Sequence, residues 1–200
     1  MKNYNTIKNL SFQELKGISQ KTIDIHWGKL YQGYVKKWQE IQEKLKTADL
    51  GLANASFSDL RELKLEETFT ADAVLLHEAY FDILGGDGQP VGKIIEAIAK
   101  DFGSFDQWQE EFKALGLCAR GWAILAYDFN DGKLHNYIAD LHNQGGIWGA
   151  APILVLDVYE HAYFIDFGAN RKSYIEAYLQ NLNWQAIDQK YLKILKSNQK

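Results

Sequence analysis

An apolar, β-branched run, Ile153-Leu154-Val155-Leu156, ends on Asp157, and His161 follows four residues later. A run of that length and type reads as an inner strand. A carboxylate delivered at its end has little access to water, and charges in such places are ordinarily paired or metal-bound. If the chain turns there into a helix, one turn of spacing sets the carboxylate and the imidazole on one side, as half of a metal site. His26 and His77 each fall on the apolar stripe of a helical pattern. A single histidine in such a place is most simply a hydrogen-bonded core residue. Together with Asp157 and His161, however, the two predict a set of three His and one Asp drawn from both halves of the chain. That set suits Zn, Fe, Mn or Ni and disfavours Mg and Ca, which prefer oxygen shells.

Two long helices must carry the first two histidines. One starts at Ser19 or Thr22, with Ile23, Trp27, Leu30, Tyr34, Trp38, Ile41 and Leu45 recurring at three and four. Leu50 to Ser58 reads as a connection, and a second helix spans about Glu66 to Leu84, with Phe69, Ala73, Leu76, His77, Tyr80 and Leu84 on one face. Joined by that loop, the two form an antiparallel hairpin. Gly85-Gly86-Asp87-Gly88-Gln89-Pro90 ends it; no strand precedes these glycines and no Lys-Ser/Thr pair follows, so a phosphate loop is excluded. Helices follow at Pro90 to Lys100 and from Ser104, a cap, to Leu117. The period then changes. Trp122 to Tyr127 and Leu134 to Ile138 read as strands around the turn Asn130-Asp131-Gly132, and helices at Arg171 to Leu182 and Trp184 to about Leu195 close the chain. The predicted class is α+β: an N-terminal helical hairpin (1–88), then a part with a small, three-stranded antiparallel sheet (89–200), the metal site lying between them.

Composition narrows the partners. A net charge of −4 without a dense basic run gives no footprint for nucleic acid or an anionic membrane. Cys118 is the only cysteine, which excludes an internal disulfide and thiolate metal sites. The first residues lack a signal peptide's apolar core and no segment is apolar enough to span a bilayer, so a cytoplasmic location is the expectation.

The stretch DVYEHAYFIDF (Asp157 to Phe167) is similar to DVWEHAYYxDY, the signature of the iron/manganese superoxide dismutases. His26-Trp27-Gly28-Lys29 with Tyr34-Val35, His77 in HEAYF, Gly92, Ala97-Ile98, DFGSFD (101–106), Gly121-Trp122 and Asn183-Trp184 match in the family's order. The resemblance implies Mn or Fe held by His26, His77, Asp157 and His161 with one solvent ligand, and superoxide as the substrate, converted to oxygen and hydrogen peroxide. It also implies a homodimer in which Glu160 reaches a ligand histidine of the other subunit. Gln144 falls where the manganese type has a Gln bonded to the coordinated solvent, and His142 could take that part, as a His does in some relatives. The iron type places a Gln where this chain has Ala73, so manganese is slightly favoured. Tyr34 matches the gateway tyrosine, Trp122 a tryptophan that walls the pocket, and Arg171 an arginine near the channel.

The chain departs from the pattern at Phe81, Ile124 and Tyr159, where the family usually has Trp. It departs again at Leu30 and Phe164, where a His and a Tyr usually meet across the dimer interface. These departures favour one alternative, a weakly active or inactive metal-binding or interaction protein on the same scaffold. A zinc hydrolase is a second alternative, for which no HExxH or comparable arrangement is found.

Overall fold

A computed structural model describes residues 4–198. The first half is the expected hairpin. Ser19 caps α1 (Gln20–Ile25), its side chain accepting the Thr22 N–H; a π-helical turn (His26–Tyr31) and α2 (Gln32–Leu45) continue the same helix. α3 (Asp59–Phe81) returns antiparallel to it. This helix begins seven residues before the expected Glu66. Its first two turns bury no residue fully, with Leu60 and Leu63 the only half-buried apolar residues; Ser58, which accepts the Arg61 N–H, and the acids Asp59 and Glu62 start it. It ends at Phe81, three residues before the expected Leu84.

The chain beyond α3 packs tightly on the last two helices, α7 (Arg171–Gln180) and α8 (Trp184–Asn198). Gly86 and Gly88 donate to the Asn181 and Leu182 carbonyls (both 3.0 Å), and Asn183 N–H donates to Ile83 O (2.8 Å). A Cβ on Gly86 would lie 2.3 Å from Leu182 O, so these glycines serve a close backbone approach.

α4 (Lys93–Phe102) and α5 (Phe105–Cys118, capped by Ser104) lead into an antiparallel sheet of order β2-β1-β3. β1 (Trp122–Asp128) is buried throughout, between β2 (Lys133–Ala139) and β3 (Ala150–Asp157). Their register sets Trp122 opposite both Ala139 and Asp157. Pro152 sits in the edge strand beside an irregularity in pairing, where its missing N–H costs least. α6 (Glu160–Phe167) follows within three residues. One apolar cluster joins hairpin, sheet and C-terminal helices, among it Tyr31, Tyr80, Trp108, Trp122, Tyr174 and Tyr178. No described helix is long and apolar enough to cross a membrane.

Asp166 ties α6 to the start of α1: its Oδ2 accepts the Ser19 N–H (2.8 Å) and the Thr22 hydroxyl (2.7 Å). Partial burial alone would raise its pKa, but these hydrogen bonds hold it below the ordinary carboxylate range. Asp166→Ala is expected to cost about 1–2 kcal/mol at pH 7 in urea unfolding. Because the folded value is depressed, wild type loses this contribution as pH falls through it, so the gap between the two proteins closes below about pH 4.

Candidate metal centre

The π-helical turn opens at His26, α3 carries His77 near its C-terminal end, and β3 ends on Asp157, with His161 one residue into α6. One ligand atom from each lies within 4.8 Å of the others. His26 Nε2 is 3.1 Å and His161 Nε2 3.2 Å from Asp157 Oδ2, and His77 Nε2 stands 3.8 Å from the same oxygen. Metal bonds of about 2.0–2.2 Å put opposed donors up to about 4.4 Å apart, so the four groups need only a few tenths of an ångström to close on one ion. The four residues predicted from sequence therefore do converge.

The protonation states suit a cation. His77 Nδ1–H donates to the Ala73 carbonyl (2.7 Å), which leaves the Nε2 lone pair pointing inward. That Nε2 and His26 Nδ1 are buried side-chain nitrogens without a hydrogen-bond partner among the described residues. Burial, the largest influence, lowers the pKa of His26 and takes His77 well below the ordinary imidazole value, so both are neutral donors near pH 7. Burial would raise Asp157, but the His161 ring and the His26 hydrogen bond overcome it and keep the carboxyl ionised. For His161 burial lowers and Asp157 raises, and the carboxylate prevails. An anionic carboxylate facing three imidazoles, two of them held neutral by burial, fits a transition-metal cation.

Asp157 is fixed on every side. Its Oδ1 accepts the Tyr159 N–H (2.9 Å), and its backbone carbonyl accepts the Tyr174 hydroxyl (2.7 Å). Trp122 stands edge-on to His77 at 5.1 Å, Phe81 packs 4.9 Å from His26, and Tyr159 stacks on His161 at 5.4 Å. Phe81 and Tyr159, two of the three positions where the resemblance leads one to expect Trp, thus still face the rings of His26 and His161.

Beyond the ligands, His142 is 4 % exposed and joins two of the predicted residues. Trp122 Nε1–H donates to His142 Nδ1 (3.1 Å), and His142 Nε2 lies 3.0 Å from the Tyr34 hydroxyl. An indole can only donate, so Nδ1 is the acceptor and the neutral ring carries its proton on Nε2. That proton goes to the Tyr34 oxygen, which frees the Tyr34 hydroxyl hydrogen for another acceptor. Burial pushes the His142 pKa down to about 4, which keeps this tautomer at neutral pH. Gln144, the other candidate for this position, lies elsewhere. The chain turns tightly between Leu141 and Gln144, leaving Gln144 exposed, and Gly145 packs so closely on β2 that a Cβ would lie 2.0 Å from Ile138 O. The turn that buries His142 thus directs Gln144 outward.

Arg171 spends its guanidinium on the Ala119 carbonyl (2.8 Å) and on Tyr163, a structural role that spacing did not disclose. The fifth histidine, His135, sits with Asp128 and Asp131. Asn130 and Tyr137 occupy the Asp128 oxygens and His135 bonds Asp131, so this cluster is satisfied within itself.

A family profile described as "Iron/manganese superoxide dismutases, C-terminal domain" matches residues 90–190. "Superoxide dismutase [Fe]" of Aquifex aeolicus is 42% identical over 194 residues, covering 94% of this chain and 91% of that protein. "Superoxide dismutase [Fe]" of Cupriavidus metallidurans is 41% identical over 175 residues, covering 86% and 87%. "Superoxide dismutase [Mn] 2" of Haloferax volcanii is 35% identical over 170 residues, covering 84% and 83%. With relatives of that identity and coverage, and with the family's ligand types gathered around one carboxylate, this chain belongs to the iron/manganese superoxide dismutase family.

Proposed function

We propose that the chain is a superoxide dismutase working with one iron or manganese ion held by His26, His77, Asp157 and His161. The observation that carries this reading is the convergence of three imidazoles on one buried carboxylate. The bound metal supplies one-electron exchange, so that one superoxide is oxidised to oxygen and a second, with two protons, is reduced to hydrogen peroxide. The protein's own part is to hold the ligands, exclude bulk water and deliver protons. Trp122, Phe81 and Tyr159 wall the ligand rings. Tyr34, half-buried and facing His77 at 5.4 Å, is the proton donor, its hydroxyl hydrogen turned away from His142. His142 is the positioning residue that fixes this direction, and Trp122 fixes His142.

Relatives named for each metal support either ion. We put manganese first, because the loop after β2 and not position 73 furnishes the group beside Tyr34. Residues 1–88 and 89–200 are proposed as the two domains that share the site. A homodimer through the α6 face is the proposed assembly. Phe164 and Ile165 there are 53 % and 42 % exposed, and Glu160 beside them is exposed, placed to reach a ligand histidine of the other subunit. Phe164 opposite Leu30 would replace a polar interface contact by an apolar one without leaving a buried donor unpaired. The cytoplasm is the proposed location.

Protein stripped by chelation and reloaded with Mn or Fe separately is expected to remove superoxide, faster with Mn. Tight stoichiometric metal binding with no activity above that of free metal would sink the enzyme reading. Asp157→Asn should lose metal and activity together, by more than the about 10–100-fold typical of outer-sphere changes. His142→Ala should lower kcat by about 10–100-fold while metal content persists, and should cost about 1–3 kcal/mol by orphaning the Trp122 indole. His142→Gln, which can still accept from Trp122 and donate to Tyr34, should recover most of both losses; no recovery would remove His142 from the positioning role.

A further inference from the structure

Of the five histidines, three converge on Asp157 and a fourth meets Tyr34; His135 alone has no part in that chemistry. It lies where the β1–β2 turn brings two carboxylates to it. Gly132, at φ +72°, donates its N–H to the Asp128 carbonyl (2.9 Å), so the chain reverses between Asp128 and Asp131. Across the ladder His135 pairs with Ala126, two residues before Asp128, which sets the imidazole and the Asp128 carboxylate on one face of the sheet. One ligand atom from each of Asp128, Asp131 and His135 lies within 4.8 Å of the others. A tetrahedral ion with bonds of about 2.1 Å holds its donors about 3.4 Å apart, a difference within reach of side-chain rotation.

The carboxylates are oriented by groups other than the imidazole. Asp128 Oδ1 accepts the Asn130 N–H and its Nδ2 (2.8 and 2.7 Å), Asp128 Oδ2 accepts the Tyr137 hydroxyl (2.8 Å), and Asp131 Oδ1 accepts the Lys133 N–H (3.0 Å). Bonds from Asn130 and Tyr137 hold Asp128 below the ordinary carboxylate range, and the bond to His135 does most to hold Asp131 there, so both are anionic at neutral pH. An ionised carboxylate offers about four lone-pair positions, so both Oδ2 atoms can still accept a cation. Tyr137 also steadies the imidazole, stacking on it at 5.5 Å and 11°. Outer groups that fix ligands in this way are the second requirement of a metal site after the ligands themselves. The one bond an ion must replace runs between His135 Nε2 and Asp131 Oδ2 (2.8 Å), where the metal takes the place of a proton.

We infer that Asp128, Asp131 and His135 form a second metal site, one that takes zinc with water completing the shell. The imidazole disfavours Mg and Ca, which prefer oxygen donors throughout. Asp131 and His135 are 44 % and 37 % exposed, so solvent reaches the open positions. Divalent Mn and Fe stand lowest of the first-row ions for such donors, so zinc outcompetes them here. A bound ion braces more than the turn: Asn130, fixed by Asp128, donates to the Trp148 carbonyl (3.1 Å), and the Phe129 N–H donates to the Gly149 carbonyl (2.9 Å). The site thereby secures the loop that leads from β2 into β3. It shares no residue with the principal centre, so the inference stands apart from the dismutase reading.

Calorimetric titration of the full Mn-loaded chain with zinc chloride is expected to show one zinc bound per chain, with the manganese content unchanged. His135→Ala and Asp131→Asn should each weaken zinc by more than the about 10–100-fold typical of outer-sphere changes, and should keep wild-type circular dichroism, manganese content and superoxide removal. X-ray absorption at the zinc edge of the titrated wild type should show a nitrogen and oxygen shell with one imidazole. Absence of zinc binding by wild type overturns the inference, as does a zinc affinity that His135→Ala leaves unchanged. A shell of three imidazoles, or manganese released in step with zinc uptake, would put the zinc in the principal centre and equally defeat it. Because the readouts are zinc affinity and the zinc shell, their failure is distinct from a failure of superoxide removal.

Discussion

One buried carboxylate sets the terms for the rest of the molecule. Moving an ionised carboxyl into a dry interior costs several kcal/mol, and only partners of opposite sign or aligned donors offset it. Asp157 is fully buried, accepts one backbone N–H and faces three imidazoles, two of which burial makes poor proton acceptors. Protons therefore satisfy the site only in part, and a cation is the natural completion. A ligand set of this kind is under tension between burial and charge, and the fold around it resists relaxation.

That resistance comes from the C-terminal helices as much as from the ligand-bearing elements. Tyr178 and Tyr174 donate to the Val155 and Asp157 carbonyls, fixing the end of β3 where an edge strand would otherwise fray. Tyr80 of α3 meets the Tyr174 hydroxyl at 3.3 Å, so hairpin and strand end are tied through one aromatic layer. On the hairpin's far side, buried Glu78 accepts the Tyr31 hydroxyl and pairs with Lys8, which locks the N-terminal segment over the helices that carry His26 and His77. Loss of any one such tie leaves a buried polar group unsatisfied, which makes the arrangement cooperative.

Proton direction follows from the same logic of donors and acceptors. An indole that can only donate fixes an imidazole, and the imidazole fixes a phenol. In this chain a histidine two residues before the expected glutamine makes that relay. Both side chains can accept at one end and donate at the other, so either can take the part; which one does is a question of where the loop turns.

Much of this was legible in the letters. The apolar strand ending on Asp157, the one-turn spacing to His161, the two histidines on apolar helical stripes, the helix start near Ser19 and the cap at Ser104 are local patterns, set by covalent geometry and burial within a few residues. The signature around Asp157 added the family. The exposed first turns of α3 were missed because only the Ser58 cap and two acids marked them, and the π-helical turn at His26 left the spacing of apolar residues unchanged to the eye. Tertiary structure alone decided that His142 and not Gln144 meets Tyr34, since that depends on how closely the chain at Gly145 presses on β2. It also decided that Arg171 serves two loop groups and that Trp148 faces water beside an apolar groove. The division has one physical cause: residue type and period specify which groups seek burial or a partner, while the partner itself is chosen by backbone approaches between segments far apart in the chain.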